Sequence, residues 1–237
     1  MPNALEVLHR DSLPWGGFAG LREHRLVMDR SAWGPYANPT AWAGLGSFVY
    51  LADARFQPHG DTQLHPHREI DVISVMVEGR IAHEGSLGHG EQIAAPGVQV
   101  QRAGGEGFTH NEVNPDDTEN RMIQLWALPE SEGGRAGYKV YQPRWGAATR
   151  VYGGPAGQTE TFASQTVIDV VLLKKGEPYS LSGEFMAYVT QGNGHVKGQN
   201  AAKSSVEVKD GDLLRGQDLE FQAQSDTHLI VIHLLGE

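Results

Sequence analysis

The sequence predicts an all-β protein made of two related halves, with helix as a minor component. Thirty glycines and twelve prolines divide the 237 residues into short apolar segments. Hardly any long stretch shows the 3.6-residue period of an amphipathic helix. Eight segments have the length, the β-branched content and the glycine or acidic boundaries of strands. They are residues 46–52, 71–77, 97–102, 121–127, 166–173, 185–190, 205–208 and 229–235. Such a set is typical of a barrel or a sandwich.

A weak internal repeat relates the two halves. Residues 69–79 align with residues 182–192 at an offset of 113 residues, so that an acidic residue, an apolar strand and a glycine turn recur in order. Residues 129–150, which are rich in glycine, proline and arginine, are interpreted as the connection between the halves. We therefore predict an amino-terminal domain over residues 1–130 and a carboxy-terminal domain over residues 131–237.

Composition limits the classes of function. The chain has no cysteine, so a metal site must use nitrogen and oxygen ligands. Its formal net charge of -10, with 19 scattered basic residues, argues against direct binding of nucleic acid. No apolar run approaches the roughly 20 residues that span a bilayer, and the amino terminus lacks the apolar core of a signal peptide. We therefore expect a cytoplasmic protein with no membrane partner.

Histidines are concentrated in one part of the chain, since six of the eleven lie within residues 59–110. Two motifs there, His65-x-His67 and His110-x-Glu112, share a two-residue spacing that points both side chains to one face of a strand. A single motif of this kind is usually a solvated pair. Two of them on neighbouring strands of a barrel can converge on one divalent ion of Fe, Mn, Ni, Co, Cu or Zn.

Two further residues are candidates for contact with the ligands. His83 is expected to pack near the strand after Gly79 or to lie beside a ligand. Asp71 can orient a ligand histidine through its second ring nitrogen, or it can be a satisfied carboxylate at the end of a strand. His59 and His89 flank glycines and are expected to be exposed.

A longer pattern resembles the pirin family of bicupins, in the cupin superfamily. The residues that carry the resemblance lie within about residues 45–128 and comprise His65-Pro66-His67-Arg68, Glu78-Gly79, His83-Glu84-x-Ser86-Leu87-Gly88 and Gly105-x-Gly107-Phe108-x-His110-x-Glu112. The carboxy-terminal half is similar only in its strand pattern. The resemblance implies two cupin barrels and one ion, with Fe(II) as the first candidate, held in the amino-terminal barrel by His65, His67, His110 and Glu112.

The carboxy-terminal half is expected to bind no metal. Adding the offset of 113 to His65 and His67 leads to Pro178 and Ser180, and neither is a useful ligand. We therefore predict one ion per chain.

The resemblance is compatible with more than one function. Some pirins cleave flavonols such as quercetin with dioxygen, which predicts a metal-dependent dioxygenase of an aromatic enol in which Glu112 is both ligand and base. The alternative is a non-enzymatic metal-binding protein that engages a protein partner in regulation. A third, weaker possibility is a metal-dependent isomerase of small sugars or keto acids. Family members usually have Gly-Phe-Glu-Thr where this chain has Glu69-Ile70-Asp71-Val72, so the pocket lining differs from the usual one.

Overall fold

The structure, a computed structural model, describes residues 4–197 and 205–236 and consists almost entirely of antiparallel strands. Within these ranges there is one α-helix, α1 (Arg30–Trp33), and two short 3-10 turns span Arg10–Ser12 and Gly34–Tyr36. The first twelve strands are β1 (Glu6–His9), β2 (Gly16–Phe18), β3 (Leu21–Met28), β4 (Phe48–Phe56), β5 (His65–His67), β6 (Asp71–Glu78), β7 (Arg80–Gly85), β8 (Glu91–Ala94), β9 (Val98–Arg102), β10 (Phe108–Val113), β11 (Arg121–Ala127) and β12 (Gly137–Tyr141). The prediction of an all-β protein with minor helix is confirmed.

Seven more strands follow. They are β13 (Ala147–Gly154), β14 (Ser164–Leu173), β15 (Pro178–Gln191), β16 (Asn193–Lys197), β17 (Ser205–Lys209), β18 (Asp212–Ala223) and β19 (Thr227–Leu234). Each of the eight predicted segments falls on one of the nineteen strands. Within the described ranges, no helix is long and apolar enough to cross a membrane.

The chain forms two compact units. One comprises Leu13–Gln142, and the other joins the segment that ends at Ser12 to the chain from Pro143 onward. These limits differ from the predicted domains, 1–130 and 131–237, for two reasons. Strand β12 pairs with β9 and so belongs to the first unit, whereas β1 pairs with β18 and belongs to the second.

The connection predicted over residues 129–150 is itself partly strand. It contains β12 and the start of β13, which join the sheets of different units. Neither β12 nor β13 was predicted from the sequence, because glycine, proline and arginine interrupt the alternation of apolar residues there.

The first unit is a barrel of two antiparallel sheets. A seven-stranded sheet runs in the order β12-β9-β6-β11-β4-β3-β2, and a four-stranded sheet runs β5-β10-β7-β8. Strands β4, β6 and β11 read as nearly continuous apolar runs and are buried over almost their whole length. The barrel interior is therefore apolar except where the polar residues of β5, β9 and β10 face inward.

The second unit is a single eight-stranded antiparallel sheet, and some of its strands are longer than those of the first unit. Its sheet runs β13-β14-β19-β15-β18-β16-β17, with β1 added beside β18. Strands β15 and β18, of 14 and 12 residues, pair along most of their length, with a register shift between Leu181 and Glu184. Their inward side chains form one core with those of β14 and β19.

A buried ion pair links β4 to β11 in the first unit. The guanidinium of Arg121 donates to both carboxylate oxygens of Asp53, from Nε at 2.9 Å and from Nη2 at 2.5 Å. The side chains of Arg121 and Asp53 are only 1% and 0% exposed. Each charge therefore depends on the other for its stabilisation.

We expect Asp53→Ala to lower the free energy of unfolding by about 3–5 kcal/mol, because it leaves the buried Arg121 charge without its carboxylate. Urea unfolding followed by circular dichroism measures this loss. Glu119→Ala is the matched control, since its Arg22 partner is half exposed and such a pair contributes at most about 1 kcal/mol. Equal losses in the two variants would contradict the argument.

Candidate metal centre

Strand pairing brings three histidines to one point inside the first unit. Strands β5 and β10 are antiparallel neighbours, with His65 opposite His110 and His67 opposite Phe108. The Nε2 atom of His110 lies 3.1 Å from Nε2 of His65 and 3.1 Å from Nε2 of His67. Among the described residues, these three form the one group of potential ligands whose atoms all lie within 4.8 Å of one another.

Burial keeps two of these rings neutral at physiological pH. Desolvation, followed by the neighbouring His65, lowers the pKa of His67 to about 4. Desolvation and then His67, His65 and His83 lower the pKa of His110 to about 2. A neutral imidazole keeps a lone pair on one nitrogen, which is the form that binds a metal.

Hydrogen bonds determine which nitrogen of His65 is free. Its Nδ1 donates to the backbone carbonyl of Gln63 at 2.8 Å. Because a carbonyl can only accept, Nδ1 carries the proton and Nε2 presents its lone pair to the other two rings. Nitrogen ligands that share a divalent ion at about 2.1 Å lie about 3 Å apart. The observed separations of 3.1 Å fit that requirement.

Gln101 performs the same task for His110. Its side-chain amide lies 2.9 Å from Nδ1 of His110, while its Oε1 is buried without a hydrogen-bond partner. Turning the amide end for end lets Oε1 accept the proton of Nδ1 and leaves the Nε2 lone pair toward the other histidines. In this orientation Gln101 Oε1 gains the N–H of His110 as its donor, and His110 Nε2 is free to bind a cation.

Glu112 lies close to the histidines but is not a member of the tight group. It is 1% exposed, and its Oε1 accepts from Ser74 Oγ and from Gln99 Nε2, each at 2.6 Å. Burial raises the pKa of Glu112 to about 7, against the opposing effect of these two hydrogen bonds. Both donors use the same oxygen, so Oε2 is the one available to the cavity.

A narrow cavity of about 40 Å³ opens beside the three histidines. Its lining includes Glu112, Gln124, Tyr50 and Trp126. The rings of Tyr50 and Trp126 are 4.5 Å apart, and Trp126 meets His67 edge to face at 5.9 Å. Phe18, from the edge strand β2, also lines the cavity and is about half exposed.

The two additional candidates lie near the site in different ways. His83 is fully buried, stacks on Tyr138 at 5.3 Å and has its ring 5.8 Å from that of His110, but neither of its ring nitrogens has a hydrogen-bond partner. Asp71 is fully buried and accepts two hydrogen bonds from Arg102 through Oδ2. Its position at the start of β6 is that of a paired strand-end carboxylate.

Sequence reasoning missed the residues that support the ligands. Gln99 and Gln101 alternate with valines on β9, and this two-residue polar spacing was the available signal. Ser74 and Tyr138 carried no such signal, because their contacts come from strand pairing. Tyr138 donates to Gln99 Oε1 at 3.1 Å. This contact fixes the orientation of the Gln99 amide, so that its Nε2 donates to Glu112.

The second unit has apolar residues where the first has the candidate ligands. The pairing of β15 with β18, and of β18 with β16, corresponds to that of β5 with β10 and of β10 with β7, so each ligand position has a counterpart. All counterparts belong to the hydrophobic core or pack against it. They are Tyr179 for His65, Leu181 for His67, Phe221 for His110 and Ala223 for Glu112.

Two antiparallel barrels in one chain, with converging histidines in the first, define a cupin with two domains. Residues 41–127 match the Pirin family model. The chain is 25% identical over 198 residues to a Zymomonas mobilis protein named "putative quercetin 2,3-dioxygenase", with 76% of this chain and 79% of the relative covered. It is also 37% identical over 70 residues to the quercetin 2,3-dioxygenase of Escherichia coli, with 29% and 30% covered.

Solved structures agree on the fold. Bacterial pirin YhhW from Escherichia coli, in complex with nickel(II), superposes with a TM-score of 0.80 at 20% identity, covering 98% of this chain and 100% of that one. The family match over residues 41–127, the quercetin dioxygenase-like relatives and the fold of bacterial pirin YhhW all support the resemblance to the pirin family of the cupin superfamily. The resemblance found in the sequence is therefore confirmed.

We expect Gln101→Leu to weaken metal binding by about 10- to 100-fold, because it removes the group that orients His110. Competition against a chelating dye measures the dissociation constant for Ni(II) or Zn(II). Gln57→Leu serves as the control, since Gln57 is an exposed residue after β4. An unchanged dissociation constant in Gln101→Leu would show that His110 needs no such support.

Proposed function

We propose that this protein is a metal-dependent dioxygenase of the pirin or quercetinase type, acting on an aromatic enol such as a flavonol. One divalent transition ion would be held by His65, His67, His110 and Glu112, with Fe(II) as the first candidate. The nickel in bacterial pirin YhhW supports an ion of this class. The observation that carries the proposal is the convergence of three Nε2 atoms in a cavity that also contains a buried carboxylate.

The chain's own residues would position and deprotonate the substrate. A divalent ion at the histidines would lower the proton affinity of an enol hydroxyl and hold the substrate for reaction with dioxygen. Glu112 is placed to accept the hydroxyl proton at Oε2, since Ser74 and Gln99 occupy its Oε1. The aromatic faces of Tyr50 and Trp126 would pack against the rings of the substrate.

The size of the cavity adds a requirement. Pockets for drug-sized ligands usually enclose about 300–1,000 Å³, whereas this one encloses about 40 Å³. A flavonol therefore needs the mouth to widen. Strand β2 can provide this, since its three residues are exposed and, in the described part of the chain, it lies at the edge of its sheet beside β3.

Oxygen consumption tests the proposed activity. The protein is freed of metal, loaded anaerobically with Fe(II), Mn(II), Ni(II) or Cu(II), and mixed with oxygenated flavonols and smaller enediols. The proposal expects oxygen uptake that depends on both metal and substrate. If no combination consumes oxygen, the dioxygenase proposal fails and the metal-loaded protein is better explained as a binding protein for a protein partner.

We expect Glu112→Gln to reduce flavonol cleavage by at least about 100-fold per bound ion, because an amide cannot take the hydroxyl proton. Rates are compared at equal metal occupancy, which separates loss of catalysis from loss of the ion. Glu78→Gln is the matched control, at an exposed carboxylate on β6. If Glu112→Gln keeps its rate per ion, Glu112 is a ligand only.

A further inference from the structure

A second carboxylate lies in the wall of the same cavity. Glu23, on β3, is only 3% exposed and lines the pocket together with the three histidines. Its Oε1 accepts from Arg25 Nε at 2.6 Å, and its Oε2 accepts from the hydroxyl of Tyr50 at 3.1 Å. The proposed chemistry at the metal uses none of these three residues as a reacting group.

The carboxylate retains capacity for another hydrogen bond. An ionised carboxylate has about four acceptor positions, and Arg25 and Tyr50 occupy one on each oxygen. A buried charged group is stable only when it is paired and well hydrogen-bonded. A donor that enters the cavity would therefore find an acceptor already fixed in place.

The charges of Glu23 and Arg25 determine which kind of hydrogen-bond donor can bind at Glu23. Arg25 forms an ion pair with Glu23, so the carboxylate offers little net attraction to a cation. An anionic group would meet the negative oxygens at short range and be repelled. A neutral hydroxyl can donate to Glu23 without disturbing the pair, and hydrogen bonds to charged acceptors are stronger than those between neutral groups.

Glu23 is linked to the imidazoles through two aromatic rings. Its carboxylate contacts the Tyr50 hydroxyl, the Tyr50 ring lies 4.5 Å from that of Trp126, and Trp126 lies 5.9 Å from His67. Ser74 of β6 bonds Glu112, and β11 and β4 separate β6 from β3. At about 4.8 Å between strands, three steps cover about 14 Å along the curved sheet. Ala54, Tyr50 and Trp126 line the same cavity, and the two aromatic residues provide ring faces there.

We propose that Glu23 is a specificity-determining residue, which accepts a hydrogen bond from a substrate hydroxyl at the end of the pocket remote from the histidines. This inference rests on the proposed function and narrows its substrate class to aromatic enols with a second, distal hydroxyl. Arg25 is a positioning residue that holds the carboxylate through Oε1, whereas Tyr50 occupies a position on Oε2 that a substrate hydroxyl could also use.

Binding without turnover tests this role. The chain is loaded with Zn(II), which has no redox chemistry, and is titrated without oxygen with 3-hydroxyflavone and with its 3′,4′-dihydroxy derivative. Quenching of tryptophan fluorescence and calorimetry give the two dissociation constants. Wild-type protein should bind the hydroxylated compound about 10- to 100-fold more tightly, as expected for a hydrogen bond to a charged group.

Two variants separate this role from a structural one. Glu23→Gln should abolish most of the preference while leaving the affinity for 3-hydroxyflavone within a few-fold. Tyr50→Phe should increase the preference, because it keeps the aromatic face and frees a position on Glu23 Oε2. Glu119→Gln, at a carboxylate on the surface of the same unit, should leave the preference as in wild type.

The outcomes distinguish this inference from the proposed function. If wild-type protein binds neither flavonol, both proposals are overturned. If it binds both with equal affinity, or if Glu23→Gln keeps the full preference, only the role of Glu23 is overturned. A preference that falls in Tyr50→Phe would also overturn it, and this variant remains informative should Glu23→Gln fail to fold.

Discussion

The candidate site depends on the two-residue alternation of strands β5 and β10 inside a narrow barrel. Alternate side chains of a strand face the same side, so His65 and His67 point inward from one strand and His110 and Glu112 from the other. The antiparallel register then places His65 opposite His110. A slip of one residue would turn every one of these side chains away from the interior. The separations of 3.1 Å between the imidazole nitrogens follow from this register.

In the second unit, the positions that correspond to the candidate ligands carry no charged or metal-binding side chains. Its counterparts of the ligands are part of an apolar core, and Phe221 takes the direction of His110. A Cβ on Gly194 would lie 2.3 Å from the Phe221 ring, so the glycine leaves space for that ring. One barrel plan therefore serves as a core in one unit and as a cavity in the other, according to a few inward residues on two strands.

The sequence predicted those features whose signal is contained in one strand. Histidine pairs at a two-residue spacing marked the site, because each pair lies on a single strand. Gln101 and Glu23 were not predicted as site residues. Their roles depend on partners from other strands, and the register of strand pairing cannot be read from the sequence. The offset of 113 led to Pro178 and Ser180, but strand pairing gives Tyr179 and Leu181, since turns of different length shift the repeat by a residue. Likewise, β1 could not be assigned to the second unit from its own residues.

Metal stoichiometry tests the central claim most directly, that strands β5 and β10 of the first unit create a single metal centre. Elemental analysis after loading with Ni(II) and gel filtration gives ions per chain for the wild type and for the double variant His65→Ala, His67→Ala. The account predicts one ion in the wild type and none in the double variant, with the far-ultraviolet circular dichroism unchanged. His89→Ala, at an exposed histidine, should keep its ion. Two tightly bound ions in the wild type, or full occupancy in the double variant, would contradict the account.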